Sequence, residues 1–260
     1  MISDDGVRMP KQIDEALRIT SSVLSARFDV YSFAFAAGSI IRGEGTENSD
    51  IDLVVVFDKL DRAWRESFVE DGIPFEAFVH DPETLNWFFE RDLKSGHPII
   101  VHMVASGRII GPGQENGRTW QSHAAQLLKD GPPELARQEL DALKYQITDL
   151  LDDLCGERSG AELRAIASQL YQPLADLMLL GRGTWSGKGK WIPRLLKQLD
   201  NELFEAFDAG FKHAAEGRPG ELLRLTEAEL ARKGGRYFDG DCREAPLDAR
   251  KTSAVPGWRI

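Results

Sequence analysis

Two rhythms of hydrophobic and polar positions run along this chain, and one gives way to the other near residue 130. Before that point, short apolar runs alternate with amphipathic stretches. Residues 11–25 carry Ile13, Ala16, Leu17 and Ile19, then Val23 and Leu24, the spacing of a helix with one apolar face. Residues 31–37 are apolar and aromatic-rich and stop at Gly38-Ser39, which predicts a buried strand. Residues 43–49 form a polar loop with two glycines, and residues 51–57 are a β-branched run expected to be a strand buried on both faces. A second helix is expected over residues 62–70. Across residues 74–80, Phe75, Ala77 and Val79 alternate with Glu76 and Phe78, as in a shorter strand. Asp81-Pro82-Glu83 supplies an N-cap with proline at the first helical position, opening a helix to about residue 94. Residues 97–110 are apolar and compatible with a helix followed by a short strand, and the pattern does not decide.

Beyond Pro132-Pro133 the period is helical. Leu140, Leu143, Ile147, Leu150 and Leu154 trace one face of a helix ending at Gly156. Leu163, Ile166, Leu170, Leu174 and Leu177 trace a second, with a kink expected at Pro173. Ile192, Leu195, Leu199, Leu203 and Phe207 trace a third, and Pro219 opens a fourth over residues 222–230. Four amphipathic helices with short connections suggest a bundle. The tail from Gly234 is rich in Gly, Pro and charge and is expected to lie over the surface. The expected organisation is therefore α+β: a mixed-sheet domain over residues 1–120, a helical bundle over 121–233 and a tail over 234–260.

Composition narrows the function. The chain has 260 residues, 28% of them charged, and a net charge of −10. An acidic balance argues against a nucleic-acid backbone as the main partner. Residues 1–120 hold 12 basic and 20 acidic side chains, so most of the excess (12 − 20 = −8) belongs to the first half. No apolar run approaches the roughly 18–20 residues that span a bilayer. The start, Met-Ile-Ser-Asp-Asp-Gly, carries no visible secretory signal, so a cytoplasmic protein with no membrane partner is expected. Cys155 and Cys242 have no metal-ligand spacing and read as free thiols. Neither His-Glu-x-x-His nor Gly-x-Ser-x-Gly occurs, which disfavours a zinc protease or a standard α/β-hydrolase.

The informative segment is residues 38–53. Acidic-x-acidic pairs recur elsewhere in the chain, but Asp50 and Asp52 stand at the mouth of a hydrophobic strand, where side chains two apart point to one side. Two converging carboxylates repel unless a cation neutralises them, and an all-oxygen set suits Mg²⁺. Glu76, on the next strand, is the natural third ligand; Asp71 and Asp81 are less well placed. Gly38-Ser39 ends the preceding strand in a turn where backbone N–H groups and a hydroxyl can approach a phosphate.

These residues resemble the signature of the nucleotidyltransferase superfamily with the DNA polymerase β-like fold. That signature is a hydrophobic residue, Gly-Ser, nine to thirteen residues, then Asp-hydrophobic-Asp-hydrophobic. Here Gly38-Ser39 is followed by ten residues and then Asp50-Ile51-Asp52-Leu53. Size and the helical second half look most like aminoglycoside nucleotidyltransferases and their relatives, with antibiotic resistance as a possible role. The resemblance implies that Gly38 and Ser39 hold the β- and γ-phosphates of a nucleoside triphosphate, most simply ATP. It implies that Asp50 and Asp52 coordinate two Mg²⁺ ions and that Glu76 completes the metal site, acts as general base, or both. Arg42, Thr46 and Ser49 lie inside the motif and could touch phosphate, although Arg42 reads equally as a surface arginine.

The loop Gly183-Thr184-Trp185-Ser186-Gly187-Lys188-Gly189-Lys190-Trp191 joins two helices. It is not a P-loop: the glycine spacing is short by one, Gly189 replaces the Ser or Thr, and a helix precedes it. Relatives place a basic residue of the helical domain on the triphosphate, and Lys188 or Lys190 fits that role. Trp185 and Trp191 read as base-stacking candidates or as core. Glu134 and Glu139 are conceivable counterparts of a helical-domain base. The expected activity is transfer of a nucleoside monophosphate, AMP from ATP, to a hydroxyl of a small molecule. Sequence acidity points to a cationic, aminoglycoside-type acceptor; protein nucleotidylation and a non-catalytic nucleotide-binding module are the alternatives. The acidic first half then reads as one wall of a metal–triphosphate cleft, with Lys188 and Lys190 on the other.

Overall fold

Why the first half makes a sheet follows from where its apolar residues can go. In the computed structural model, which describes residues 13–249, helix α1 (Ile13–Arg27) precedes strands β1 (Phe33–Ala37), β2 (Ile51–Val56), β3 (Trp64–Glu70) and β4 (Ile73–His80). Helices α2 (Pro82–Ser95) and α3 (Ile99–Ser106), strand β5 (Arg108–Ile110) and helix α4 (Gln114–Asp130) follow. The sheet order is β3-β4-β2-β1-β5; β2 and β4 run parallel and the other pairs are antiparallel. The central β2 is buried on both faces, as its β-branched run predicts. Ile51, Leu53 and Val55 join α1 residues Ala16, Val23 and Leu24 in one core. Val54 and Val56 join Leu85 and Phe89 of α2, Ile100, Val101 and Val104 of α3, and Ala124 of α4 in the other.

Asp52 shares parity with Val54 and Val56, so the sheet presents it on the α2–α4 side at the start of β2. α2 begins where the sequence places it: the Thr84 N–H donates to Asp81 Oδ1 (2.9 Å) while Asp81 N–H donates to Thr84 Oγ1 (3.0 Å). The Thr84 N–H, the Leu60 N–H and the Thr84 hydroxyl all donate to the Asp81 carboxyl and hold it below its ordinary value. Asp81 is thus a cap, and Asp71 lies in a turn. Residues 97–110 resolve into α3 and β5.

The helix expected over residues 62–70 is instead β3, which forms a hairpin with β4. Asp71 (φ 50°) and Gly72 (φ 75°) make a two-residue connection with both residues left-handed, the geometry that matches strand twist. Phe68 stacks on Phe75 with ring centroids 5.3 Å apart, and Arg27 lies 4.1 Å from the Phe68 ring and donates to Glu66 at 2.6 Å.

The second half contains α5 (Arg137–Cys155), α6 (Gly160–Leu180), α7 (Trp191–Leu199), α8 (Asn201–Ala215) and α9 (Gly220–Ala231). The single helix traced by Ile192 through Phe207 is two, α7 and α8, because Asp200 takes an extended conformation and caps α8. Its Oδ1 accepts from the N–H groups of Glu202 (2.8 Å) and Leu203 (3.1 Å). α6 continues through Pro173.

By internal contacts the chain forms two units. The first comprises the described residues up to Leu135 together with Met178–Asp208; the second comprises Ala136–Leu177 and the described residues from Ala209 onward. In the second unit α5 packs on α9, with Ile147, Leu151 and Leu154 fully buried. There the early tail docks on α5: Tyr237 N–H donates to Thr148 Oγ1 (3.1 Å) and Phe238 stacks on Tyr145 at 5.7 Å. The start of the expected first helix at residues 11–12 and the tail from residue 250 lie outside the described residues. No helix among the described residues is long and apolar enough to cross a membrane.

Candidate active site

The site is built around a glycine whose left-handed backbone disfavours any side chain. Gly38 follows β1 with φ +93°, and a Cβ there would stand 2.7 Å from Asp52 Oδ2. The turn after it is closed by N–H bonds from Arg42 to Gly38 O (3.2 Å), Gly43 to Ile40 O (3.0 Å) and Glu44 to Ser39 O (2.8 Å). Buried Ile40 and Ile41 pin its underside in the sheet core. Ser49 is buried beneath the loop, where its Oγ accepts from Thr46 N–H (2.8 Å) and from Ser39 Oγ (3.0 Å). Ser49 therefore holds Ser39 in place and does not line the cleft.

Asp50 is exposed just ahead of β2, and Asp52 is half-buried within it. Burial, then the charges of Asp50 and Glu76, push the Asp52 carboxyl up from 3.8 to about 6, against a partial offset from Arg42 and Lys190. Glu76 is the register partner of Asp52 across the parallel β2–β4 pair. Its carboxylate, however, is ion-paired with Arg65 of β3 and does not line the cleft. Among the described residues no three His, Cys, Asp or Glu side chains form a metal-holding group. The donor chemistry of Asp50 and Asp52 nonetheless fits a hard divalent cation, since they are hard oxygen donors whose mutual repulsion already raises one of them. Glu76 could join them once released by Arg65.

Asp50 and Asp52 open into a cleft of about 720 Å³, which is also lined by residues of Met178–Asp208, the segment by which the chain returns to the first unit. That segment is fastened within the same unit. Ser186 N–H donates to Gly96 O (3.0 Å), and the Trp185 indole N–H donates to Leu128 O (2.8 Å). Trp185 is thus anchored through its indole N–H. Gly187 is required, because a Cβ there would lie 2.8 Å from Trp191 Cβ. Gly38, Ser39, Arg42, Asp50, Asp52, Lys188 and Lys190 all line this one cleft. Glu134 is absent from the lining, and the Glu139 carboxylate accepts from the Ala136 N–H at the start of α5 (3.1 Å).

Sequence reasoning missed Glu44, His97, His102 and Arg194, which also line the cleft. The guanidinium groups of Arg42 and Arg194 each lie 5.2 Å from the Trp191 ring, and His102 stacks on it at 6.2 Å. Glu44 Oε2 accepts from Arg42 Nε (3.4 Å) and Arg194 Nη1 (3.5 Å). Loss of water, then the Arg42 charge, lowers the His102 imidazole below its ordinary value. The one available signal for Arg194 was its place one helical turn beyond Lys190.

Comparison with known proteins follows the same segment. The sequence model of the family described as Nucleotidyltransferase domain matches residues 17–125. No curated protein matches the chain in sequence. Among solved structures, the chain is similar to a nucleotidyltransferase-like protein from Exiguobacterium sibiricum 255-15. The two are 14% identical with a TM-score of 0.42, over 85% of this chain and 77% of that one.

Proposed function

We propose, from the match of residues 17–125 to the Nucleotidyltransferase domain family, that the chain transfers a nucleoside monophosphate from a nucleoside triphosphate, ATP in the simplest case, to a hydroxyl acceptor, releasing pyrophosphate. The observation that carries this reading is one cleft lined by the Gly38-Ser39 turn, by Asp50 and Asp52, and by Lys188 and Lys190 from far along the chain.

In this reading the Ser39 hydroxyl turns its proton from Ser49 Oγ to a phosphate oxygen, backbone N–H groups at Gly38-Ser39 bind phosphate beside it, and Arg42, Lys188 and Lys190 balance the triphosphate charge. Asp50 and Asp52 would hold divalent cations such as two Mg²⁺, with Glu76 joining them; bound there, the ions would neutralise phosphate charge and polarise the acceptor hydroxyl. The acceptor oxygen bonds to the α-phosphorus, the bond to the β-bridging oxygen breaks, and the hydroxyl proton passes to a carboxylate. Glu76 could take that proton after exchanging its Arg65 partner.

For the acceptor, we favour a small-molecule hydroxyl, but the cleft's charge does not select a polycation. Its lining sets Arg42, Lys188, Lys190 and Arg194 against Glu44, Asp50 and Asp52. The acidity that pointed to an aminoglycoside is therefore not concentrated here, and neutral or anionic hydroxyls fit at least as well. The test is pyrophosphate release from ATP and Mg²⁺ with cationic amino sugars, neutral sugars, anionic polyols and proteins as acceptors. Acceptor-dependent release supports transfer, and the panel identifies the class. ATP binding without release under any of these conditions would leave a nucleotide-binding module.

A further inference from the structure

A carboxylate of the motif loop sits between two arginines of the cleft. Arg42, in the motif loop, and Arg194, on α7, are 152 positions apart (194 − 42), yet both donate to the same Glu44 oxygen and both lie over Trp191. Two cations thus share one anion. The cluster lines the cleft together with Ser39, Lys188 and Lys190. It is also open to water, with the side chains of Glu44, Arg194 and Arg42 exposed by 51%, 44% and 29%.

We propose that Glu44 is a placeholder anion, which keeps Arg42 and Arg194 together in the ligand-free cleft and is displaced when a polyphosphate takes both guanidinium groups. This deepens the reading of the cleft as a triphosphate site, on which it rests, and adds Arg194 to the phosphate-binding set. The physical case is a competition. A solvent-exposed carboxylate–arginine pair is worth only about 0–1 kcal/mol, so displacement costs little. Without Glu44 the two guanidinium groups would repel, and the contact of Arg42 with the Trp191 ring would be left to tie the loop to α7. A polyphosphate offers several charged oxygens to the same forks and to the lysines, so it can outbid one carboxylate, whereas a lone monoanion gains less. Glu44 therefore lowers affinity for phosphate-bearing ligands in general while keeping the arginines aligned for a polyanion.

The test is calorimetric titration of the full chain with inorganic tripolyphosphate, without divalent ions and at fixed ionic strength. Glu44→Gln is expected to bind about fivefold more tightly than the unaltered chain, and Arg194→Ala more weakly by a similar factor. Glu47→Gln makes the same charge change three positions along the loop, outside the cleft lining, and is expected to alter affinity by less than about 1.5-fold. Thermal melts check that each variant folds, and Glu44→Ala provides a second route should Glu44→Gln melt early. The proposal is overturned if Glu44→Gln binds no more tightly than the unaltered chain. It is equally overturned if Glu47→Gln gives the same gain, or if no variant binds tripolyphosphate. ATP-dependent pyrophosphate release is measured separately. Tripolyphosphate binding that behaves as expected without release would remove the transfer reading and leave the displacement intact.

Discussion

At the residue scale, removing the charge of Asp52 separates what the carboxylate does for chemistry from what it does to the fold. Its carboxyl ionises at about 6 in the folded chain, against an ordinary value of 3.8. A raised value means that folding favours the protonated form. The resulting stability is fully present below about pH 4 and is lost as pH rises through about 6, so at pH 7 the ionised group strains the fold. Asp52→Asn is expected to stabilise the metal-free protein by about 1–3 kcal/mol at pH 7 to 8. That gain should close as pH falls from about 6 to about 4, while turnover drops by a thousandfold or more, to order of magnitude. Melting curves across pH without divalent ions, with pyrophosphate release alongside, check both halves. A gap between the two proteins that ignores pH would refute the electrostatic account.

The same residues show what a sequence reveals about a site. Gly38, Ser39, Asp50 and Asp52 are legible because strand, loop and strand fix their relation within 15 positions. Glu44 and Arg194 are not, since their pairing depends on a chain return that no local spacing encodes. Glu76 is half legible: its strand follows from alternation, but its pairing with Asp52 is set by the sheet and its engagement by Arg65 depends on a neighbouring strand that the periodicity hides.

At the scale of elements, that hidden strand is the main departure from the expected pattern. Residues 62–70 are charged and only sparsely apolar, because β3 is an edge strand with a largely exposed surface. Its hydrophobic signal is therefore weak, and the decisive signal is the Asp71-Gly72 pair, whose left-handed conformations specify a hairpin. Gly72→Ala is expected to cost about 1 kcal/mol or more, read as a lower urea midpoint with unchanged slope. Unchanged stability would mean that the turn does not hold the hairpin. The break between α7 and α8 was missed for a different reason. The apolar stripe from Ile192 to Phe207 keeps its period across Asp200, so periodicity sees one helix where the cap makes two. Asp200→Ala removes the acceptor for two backbone N–H groups and is expected to destabilise by about 1 kcal/mol. Thermal unfolding checks it, and a variant as stable as the parent would show that Asp200 is incidental to the break.

At the scale of the whole molecule, the strongest consequence is that the first unit is discontinuous in sequence. The helical pattern of the second half reads as one bundle, yet Met178–Asp208 belongs with the sheet. The first unit needs that segment for reasons that can be named. Gly96 O and Leu128 O are acceptors satisfied by Ser186 and Trp185, and Leu196 of α7 is fully buried. Lys188, Lys190 and Arg194 supply most of the cationic lining of the cleft. A chain ending at Leu135 should therefore keep its sheet but lose the support and charge that the return segment provides. Losing the burial of Leu196 and the packing of Leu180 on Gly96, and freeing two carbonyls, is expected to cost several kcal/mol, which corresponds to a melting point lower by on the order of 10 °C. The loss of three cations should weaken tripolyphosphate binding by at least about tenfold. Melting and titration of this truncation beside the full chain test both expectations, since stability and charge are lost by different routes. A truncated chain that melts lower but binds as well would assign the polyphosphate to the motif loop alone. One that matches the full chain in both would show that Met178–Asp208 is no part of the unit that builds the cleft.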